Sequence, residues 1–437
     1  MARVVLGVGG GIAAYKACEL LRLFTESRHD GPGHEVRVVP THDALRFVGE
    51  ATWAALSGNP VATEVWHDVH EVPHVRIGQE ADLVVVAPAT ADLLARAAHG
   101  MAGDLLGATL LTARCPVVFA PAMHTEMWEH PATAANVATL RERGAIVIEP
   151  AVGRLTGPDT GRGRLPDPEE IFEVCRRVLR ASSQAASRDT SSPSTRSSGI
   201  QSSGTPLLHA VADLAGRRVV ISAGGTREAI DPVRFIGNRS SGRQGYAFAR
   251  AAVARGAEVT LVAANVALPD PAGADVVRVE SALELRAAVT RAAERADVVV
   301  MAAAVADFRP AGRAESKIKK TGAEPGPIDL VENPDVLAEL CAARRTGRGP
   351  SPAVIVGFAA ETDDVLANGR AKLARKGCDL LVVNQVGEHL AFGTPDNAAV
   401  VLMAGGGMVE IPRGPKEDLA DVVWDLVVAR LPARPGP

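Results

Sequence analysis

The 437-residue chain has no apolar run approaching the roughly 20 residues needed to span a bilayer. Its opening, MARVVLGVGGG, reads as a strand and a loop rather than a signal peptide, so a cytoplasmic protein without a membrane partner is expected. Cysteine is scarce. The five residues, Cys18, Cys115, Cys175, Cys341 and Cys378, form no CxxC pair and no metal-ligand spacing, which argues against a disulfide framework or a zinc site. A strong charge of either sign is also missing. The formal net charge of −4 argues against nucleic acid or a membrane surface as partner and leaves small molecules or protein. No Walker-type phosphate loop occurs, so P-loop chemistry is excluded. What is present, 47% hydrophobic and 22% charged residues, is ordinary for an α/β protein long enough for two or three domains with sizeable cores.

Apolar runs of strand length alternate with helix-like segments in the first half: Arg3 to Gly7, Val36 to Val39, Leu83 to Ala87, Val117 to Ala120 and Ala145 to Ile148. This rhythm predicts a parallel, doubly covered sheet. Ser182 to Pro206 is rich in Ser with Gly and Pro and nearly devoid of large apolar groups, the composition of a flexible linker. The rhythm then restarts at Arg218 to Ala223, Val259 to Ala263, Val276 to Val279, Asp297 to Ala303, Val354 to Phe358, Leu380 to Val383 and Ala399 to Met403. The expected fold class is therefore α/β, with two Rossmann-like, parallel-rich domains at 1–181 and 210–437 and a linker over 182–209.

Candidate sites lie where such strands end. Gly7 to Lys16, GVGGGIAAYK, is a glycine-rich turn into a helix, suited to phosphate through backbone N–H groups. It is not a dinucleotide fingerprint, because Ile12 stands where a third glycine or alanine belongs, and Pro40-Thr41-His42 replaces the acid expected after strand two. A mononucleotide fits better. His74 in PHVRIG precedes APATAD, with Pro88 and Thr90, at the carboxyl end of a buried strand. Ala120 to Trp128 brings Met123, His124, Met127 and Trp128 together, as a lid or a packing cluster.

In the second half, Ile221 to Gly245 reads as strand, long loop, helix. Gly224-Gly225 admits close backbone approach, and the loop carries Thr226, Arg227, Arg234, Asn238 and Arg239, which suit an oxyanion as well as a solvated surface. Further along come AAAVADF (Ala302 to Phe308), SKIKK (Ser316 to Lys320), ENPDVL (Glu332 to Leu337), GFAAET (Gly357 to Thr362) and a helix with Lys372 and Lys376 four residues apart. Together with Lys317, these lysines can clamp a triphosphate, and Asp307 can hold the nucleotide or a magnesium ion.

The string AGGTREAIDPVRFIGNRSSG closely resembles the signature of phosphopantothenate-cysteine ligases. GGGIAAYK, THDALRFVG, PHVRIGQEADLVVVAPATADLL, GMAGDLL and PAMHTEMW resemble the flavin-dependent phosphopantothenoylcysteine decarboxylases over essentially the whole first domain. This resemblance implies a bifunctional coenzyme A pathway enzyme with small-molecule substrates: CTP-dependent joining of 4′-phosphopantothenate to L-cysteine through an acyl-cytidylate, then FMN-dependent decarboxylation to 4′-phosphopantetheine. It implies FMN at Gly9, Gly10, Gly11, Thr41, Pro88 and Thr90, with His74 catalytic. It implies CTP near Met301, Ala302, Ala303, Asp307, Lys317, Pro334, Asp335, Val336, Leu337, Phe358, Lys372 and Lys376, with Mg2+ at Asp307. Asn238, Arg234 and Lys317 are implied to handle the acyl-cytidylate. A homo-oligomer is implied too, with trimers of the first domain joined through dimers of the second, up to a dodecamer.

Two departures stand out. His124 occupies the place where the family usually has asparagine, and the segment Gly153 to Leu165 carries no cysteine where many members have a flap cysteine as general acid. His124 is our candidate for that acid, since an ordinary histidine titrates near neutrality. The alternative is a ligase whose flavin domain serves only in assembly or regulation.

Overall fold

The computed structural model describes residues 1–26, 33–61, 73–155, 159–189, 212–319, 327–361, 364–385 and 396–432. They form two compact units, Met1 to Asp213 and Leu214 to Pro437.

Unit 1 runs β1 (Arg3–Val8), α1 (Ala14–Thr25), β2 (Glu35–Pro40), α2 (Glu50–Ser57), α3 (Pro73–Glu80) and β3 (Leu83–Ala89). There follow α4 (Ala91–Ala98), α5 (Leu105–Thr112), β4 (Val117–Pro121), α6 (Thr125–Trp128), α7 (Pro131–Glu142) and β5 (Ile146–Val147). A hairpin of β6 (Ala151–Arg154) and β7 (Thr160–Arg164) leads into the long α8 (Pro168–Asp189). Five strands pair in parallel in the order β2-β1-β3-β4-β5. All seven residues of β3 are buried, which is why this central strand reads as an unbroken apolar run. On α1, Ala17, Leu20, Leu21 and Phe24 recur at helical spacing and are all buried. Phe24 meets Phe172 of α8 edge-on at 5.1 Å, and each such buried ring or leucine contributes about 1.5–3 kcal/mol.

The Ser-rich stretch does not begin as a linker. Helix α8 continues through Asp189, and the Ser182 and Ser183 hydroxyls donate to the Val178 and Leu179 carbonyls at 2.9 Å, satisfying themselves within the helix. Residues 190–209 lie outside the described residues.

Unit 2 starts with β8 (Arg218–Gly224), a small ribbon of β9 (Arg227–Ala229) and β10 (Phe235–Gly237), then α9 (Arg243–Ala254), β11 (Glu258–Ala264), β12 (Ala274–Val279) and α10 (Ala282–Ala293). Next come β13 (Val298–Met301), a second ribbon of β14 (Phe308–Pro310) and β15 (Leu330–Glu332), α11 (Val336–Thr346), β16 (Val354–Glu361), α12 (Val365–Lys376) and β17 (Leu380–Gln385). β18 (Asp396–Met403), β19 (Met408–Pro415) and α13 (Lys416–Val428) complete it. The main sheet has the order β12-β11-β8-β13-β16-β17-β18-β19. Its first six strands are parallel, and β18 and β19 extend it antiparallel. Numbered within the unit, the parallel part is 3-2-1-4-5-6, the doubly wound order of dinucleotide-binding folds. The core packs Phe248 edge-on against Trp424 at 5.8 Å, and the Trp424 indole N–H donates to the Phe248 carbonyl at 3.1 Å.

Candidate active sites at two sheet edges

In an open α/β sheet, ligands bind outside the carboxyl ends of the strands, where strand order reverses. In unit 1 that point lies between β1 and β3. A cleft of about 760 Å³ opens there, lined by Gly9 to Ala13 after β1, Thr41 to Asp43 after β2, Thr90 to Leu93 after β3, and Ala122, Met123, His124 and Met127 after β4. Its volume falls within the range of small-molecule sites.

Gly9 explains the turn. Its N–H donates to the Pro88 carbonyl at 3.0 Å, and a Cβ at this position would lie 2.4 Å from that same oxygen. Pro88 itself is buried and serves as this backbone support, whereas Gly9, Gly10 and Gly11 form cleft wall without side chains. Thr90 caps α4, its hydroxyl accepting from Leu93 N–H at 3.2 Å, so the helix N-terminus faces the cleft. Thr41 likewise uses its hydroxyl to accept from Ala44 N–H at 3.3 Å.

His124 stands at the N-cap of the four-residue α6 without spending its side chain on a cap bond, and it lines the cleft. His74 is in the first turn of α3; its side chain lies outside the described residues. The β6–β7 hairpin is seated on this region by main chain. Met123 N–H donates to the Gly163 carbonyl at 2.9 Å, a Cβ at Gly163 would fall 2.2 Å from the Met123 carbonyl oxygen, and one at Gly161 would fall 2.2 Å from Thr125 Oγ1.

The sequence reading missed two groups of cleft residues. Arg96 reaches Asp92 at 2.9 Å and Asp104 at 2.7 Å, tying α4 to the start of α5, with all three on the cleft wall. Arg164 at the end of β7 also lines it, 3.3 Å from Asp167, which Lys16 approaches at 3.3 Å. Their i,i+4 and i,i+3 spacings were visible, but nothing in the sequence says that these pairs border a cleft. None of the five cysteines does. Burial pushes the Cys115 and Cys341 thiols up to about 11 and Cys378 to about 12, and raises Cys175, so these are core groups rather than acid–base groups.

In unit 2 the reversal lies between β8 and β13, and the loops leaving those strands are stitched together. Ala304 N–H donates to the Gly224 carbonyl at 2.8 Å, and Thr226 N–H to the Ala304 carbonyl at 3.2 Å. The buried Thr226 hydroxyl accepts from Ala306 N–H at 2.9 Å, and Asn238 Nδ2 donates to the Val305 carbonyl at 3.0 Å. Met301 ends β13 beside Ser222, whose hydroxyl also accepts from Ala303 N–H at 3.1 Å. Ala302 and Ala303 are half-buried and Asp307 is exposed, its carbonyl accepting from Asn333 N–H at 2.8 Å. The signature loop, AAAVADF and ENPDVL therefore meet.

Asp335 caps α11, accepting from Ala338 N–H at 3.1 Å, and is ion-paired with Lys376. Lys376 thus has a carboxylate partner within the protein. Burial favours the neutral Asp335 carboxyl, but the Lys376 and Ala338 hydrogen bonds and the Lys376 and Arg375 charges hold it below its ordinary range. Phe358 on β16 packs edge-on against Phe248 at 5.5 Å, and Val336 is buried beside half-buried Pro334 and Leu337. Lys317 is exposed, and Lys372 lies on α12.

Residues 1–180 match the family model described as Flavoprotein, and residues 214–431 match the DNA/pantothenate metabolism flavoprotein C-terminal domain. The chain is 57% identical to the coenzyme A biosynthesis bifunctional protein CoaBC of Mycolicibacterium smegmatis, over 99% of both chains. The chain belongs to the bifunctional coenzyme A biosynthesis (CoaBC) family. The Mycobacterium tuberculosis CoaBC protein is also 57% identical, over 98% of this chain and 97% of its own. A solved C-terminal domain of a CoaBC protein is 34% identical, covering 50% of this chain and 97% of that one, with a TM-score of 0.42. A flavoprotein domain thus precedes the pantothenate-metabolism domain, and the two clusters fall one in each.

Proposed function

We propose that unit 2 joins 4′-phosphopantothenate to L-cysteine at the expense of CTP, and that unit 1 decarboxylates the product to 4′-phosphopantetheine with FMN. The first domain carries its last helix through Asp189 and the second falls within 210–437, both cytoplasmic. The observation that carries this reading is that each signature loop lies at the switch point of its own sheet.

FMN suits the unit 1 cleft, with its bare glycine wall and the N-terminus of α4 turned toward it. When bound, it supplies oxidation of the substrate thiol and return of a hydride, giving the departing CO2 a place to leave its electrons. Gly9, Gly10, Gly11, Thr41 and Thr90 hold and orient it over the Pro88 support. His74 acts at the substrate carboxylate. His124 delivers a proton to the carbon from which CO2 has left, the task of the missing flap cysteine.

In unit 2, Lys317, Arg234 and Asn238 gather around the carboxylate being activated, and Lys372 and Lys376 assist the nucleotide phosphates. The carboxylate displaces pyrophosphate from CTP to give the acyl-cytidylate, and cysteine's amine then displaces CMP from it to form the amide. Asp307 is the one carboxylate we assign to magnesium, which would take its remaining ligands from phosphates and water; among the described residues no group of three His, Cys, Asp or Glu stands ready to hold a metal. Val233, Phe235, Phe308, Ile328 and Leu330 are each about half exposed along the two ribbons of unit 2, and Ile12 and Met127 are exposed at the cleft of unit 1. Such apolar surface supports a homo-oligomer, up to a dodecamer.

The test is direct. Purified protein should be yellow, release CMP from CTP only with both 4′-phosphopantothenate and cysteine, and release CO2 from 4′-phosphopantothenoylcysteine. A hairpin without cysteine favours one second reading, a working ligase with a flavin domain kept for assembly or regulation; CMP release without CO2 release would select it.

A further inference from the structure

Asp231 lies in the signature turn and is 2% exposed. Its two carboxylate oxygens have different partners. Oδ1 accepts from the N–H groups of Val233 at 2.7 Å and Arg234 at 2.8 Å, an Asx turn that shapes the tip of the β9–β10 ribbon. Oδ2 instead accepts at 3.2 Å from the N–H of Ile318, 87 residues further along. The Arg234 guanidinium, 3.6 Å from Oδ2, donates to the carbonyl of the same Ile318 at 3.0 Å. On the other side of Lys317, Ala314 N–H donates to the Ile230 carbonyl at 3.0 Å. The short segment carrying Lys317 is therefore fastened before and after the lysine, while the lysine itself is exposed. Burial pushes the Asp231 carboxyl up, but the Val233, Ile318 and Arg234 N–H groups and the Arg234 charge outweigh it and hold it below its ordinary range, so it stays an acceptor at neutral pH.

We propose that Asp231 is a positioning residue for ligation: with Arg234 it clasps the Ile318 peptide and so fixes the main chain from which Lys317 reaches the reacting acyl phosphate. This rests on the role given to Lys317 above. A flexible lysine on a loose loop would lose entropy each time it engaged the transition state; a fastened main chain removes most of that loss beforehand. Asp231→Asn breaks the clasp, since an amide cannot present acceptor oxygens to both the turn and Ile318.

In the full-length protein, Asp231→Asn should lower kcat for CMP release roughly 10- to 100-fold, as for loss of a charge-assisted hydrogen bond. The KM for CTP should stay within about two-fold, which places the loss at the chemical step rather than in nucleotide binding, and the loss should persist when the rate is expressed per folded molecule by thermal melt or circular dichroism, which mere destabilisation would not predict. Trypsin should cut faster after Lys317, and CO2 release by unit 1 should be unchanged. In a Lys317→Gln background, Asp231→Asn should cause no further loss. If Asp231→Asn does not fold, Ile318→Pro, which deletes the N–H donor and spares the carboxylate, should give the same kinetic pattern. Multiplying losses in the double variant, or an unchanged trypsin rate, would overturn the clasp alone. Wild-type turnover by Lys317→Gln would instead remove the assignment of Lys317, and the clasp with it.

Discussion

The two units meet the same problem, how to build a site where strand order reverses, in opposite ways. In unit 1 the turn after β1 and the strand end of β3 are joined by one backbone bond, Gly9 to Pro88, and beyond it the space is left open as a cleft of about 760 Å³. In unit 2 the loops after β8 and β13 are laced by reciprocal backbone bonds between Gly224, Thr226 and Ala304 and by the Thr226 and Asn238 side chains. An open cleft walled by glycine suits a large resident cofactor. A laced edge suits the alignment of several transient substrates, because the groups that orient them are already fixed.

The largest expected effect comes from closing the open site. Gly9→Val places a side chain where even a Cβ would lie 2.4 Å from the Pro88 oxygen, overpacking that costs on the order of 1–3 kcal/mol. Flavin retained per protein, read by absorbance, should fall more than about ten-fold, while CTP-dependent CMP release continues. Loss of both would break the comparison by showing the units to be coupled. Next is unlacing the other site. Thr226→Val leaves the Ala306 N–H without its acceptor at a position with no solvent exposure, a cost of about 1–3 kcal/mol that should slow ligation and spare flavin binding.

A smaller effect is expected for Lys376→Ala. It removes the Asp335 partner and, with it, the proposed phosphate contact, so the KM for CTP should rise about three- to ten-fold with kcat nearly kept; an unchanged KM would make Lys376 purely structural. The smallest effect separates the units by pH. Burial, with help from the N-terminal charge, depresses the pKa of His34, whose Nδ1 accepts from Ala2 N–H at 3.2 Å. The unfolded chain therefore binds a proton there that the folded one resists, so unit 1 should lose a little stability as pH falls through about 6.5. In unit 2, Asp231 and Asp335 are depressed instead; they stabilise above the ordinary carboxylate range, and that stability is lost only as pH falls below about 4. Thermal melts from pH 8 to 5 should show the first change, and His34→Asn should abolish it.

The parallel strands were legible because burial on both faces leaves an unbroken apolar run, as in LVVVAPA. The strand order was not, since a run of valines carries no record of its neighbour. The β6–β7 hairpin escaped because Gly153, Gly161 and Gly163 leave no alternating pattern, and β18 and β19 turned out longer or additional because alternation with Asp, Asn, Glu and Arg dilutes their apolar signal. The candidate residues after β1, β3, β8 and β13 were picked out through motif resemblance, which marks chemistry better than it marks scaffolding. Asp231 sat inside the quoted signature and still went unassigned, as its distant partner, Ile318, is set by topology alone.

The seat of the β6–β7 hairpin carries a consequence for how this protein can vary. Gly161 and Gly163 meet Thr125 and Met123 directly, whereas Thr160 and Asp159 are exposed and Arg162 reaches out to Glu149 at 2.6 Å. A library of substitutions across 160–163 should therefore divide by parity. Alternate positions accept almost any residue, and the two between them accept none, so the strand can drift in charge and polarity on one side while its other side remains a bare ribbon of peptide.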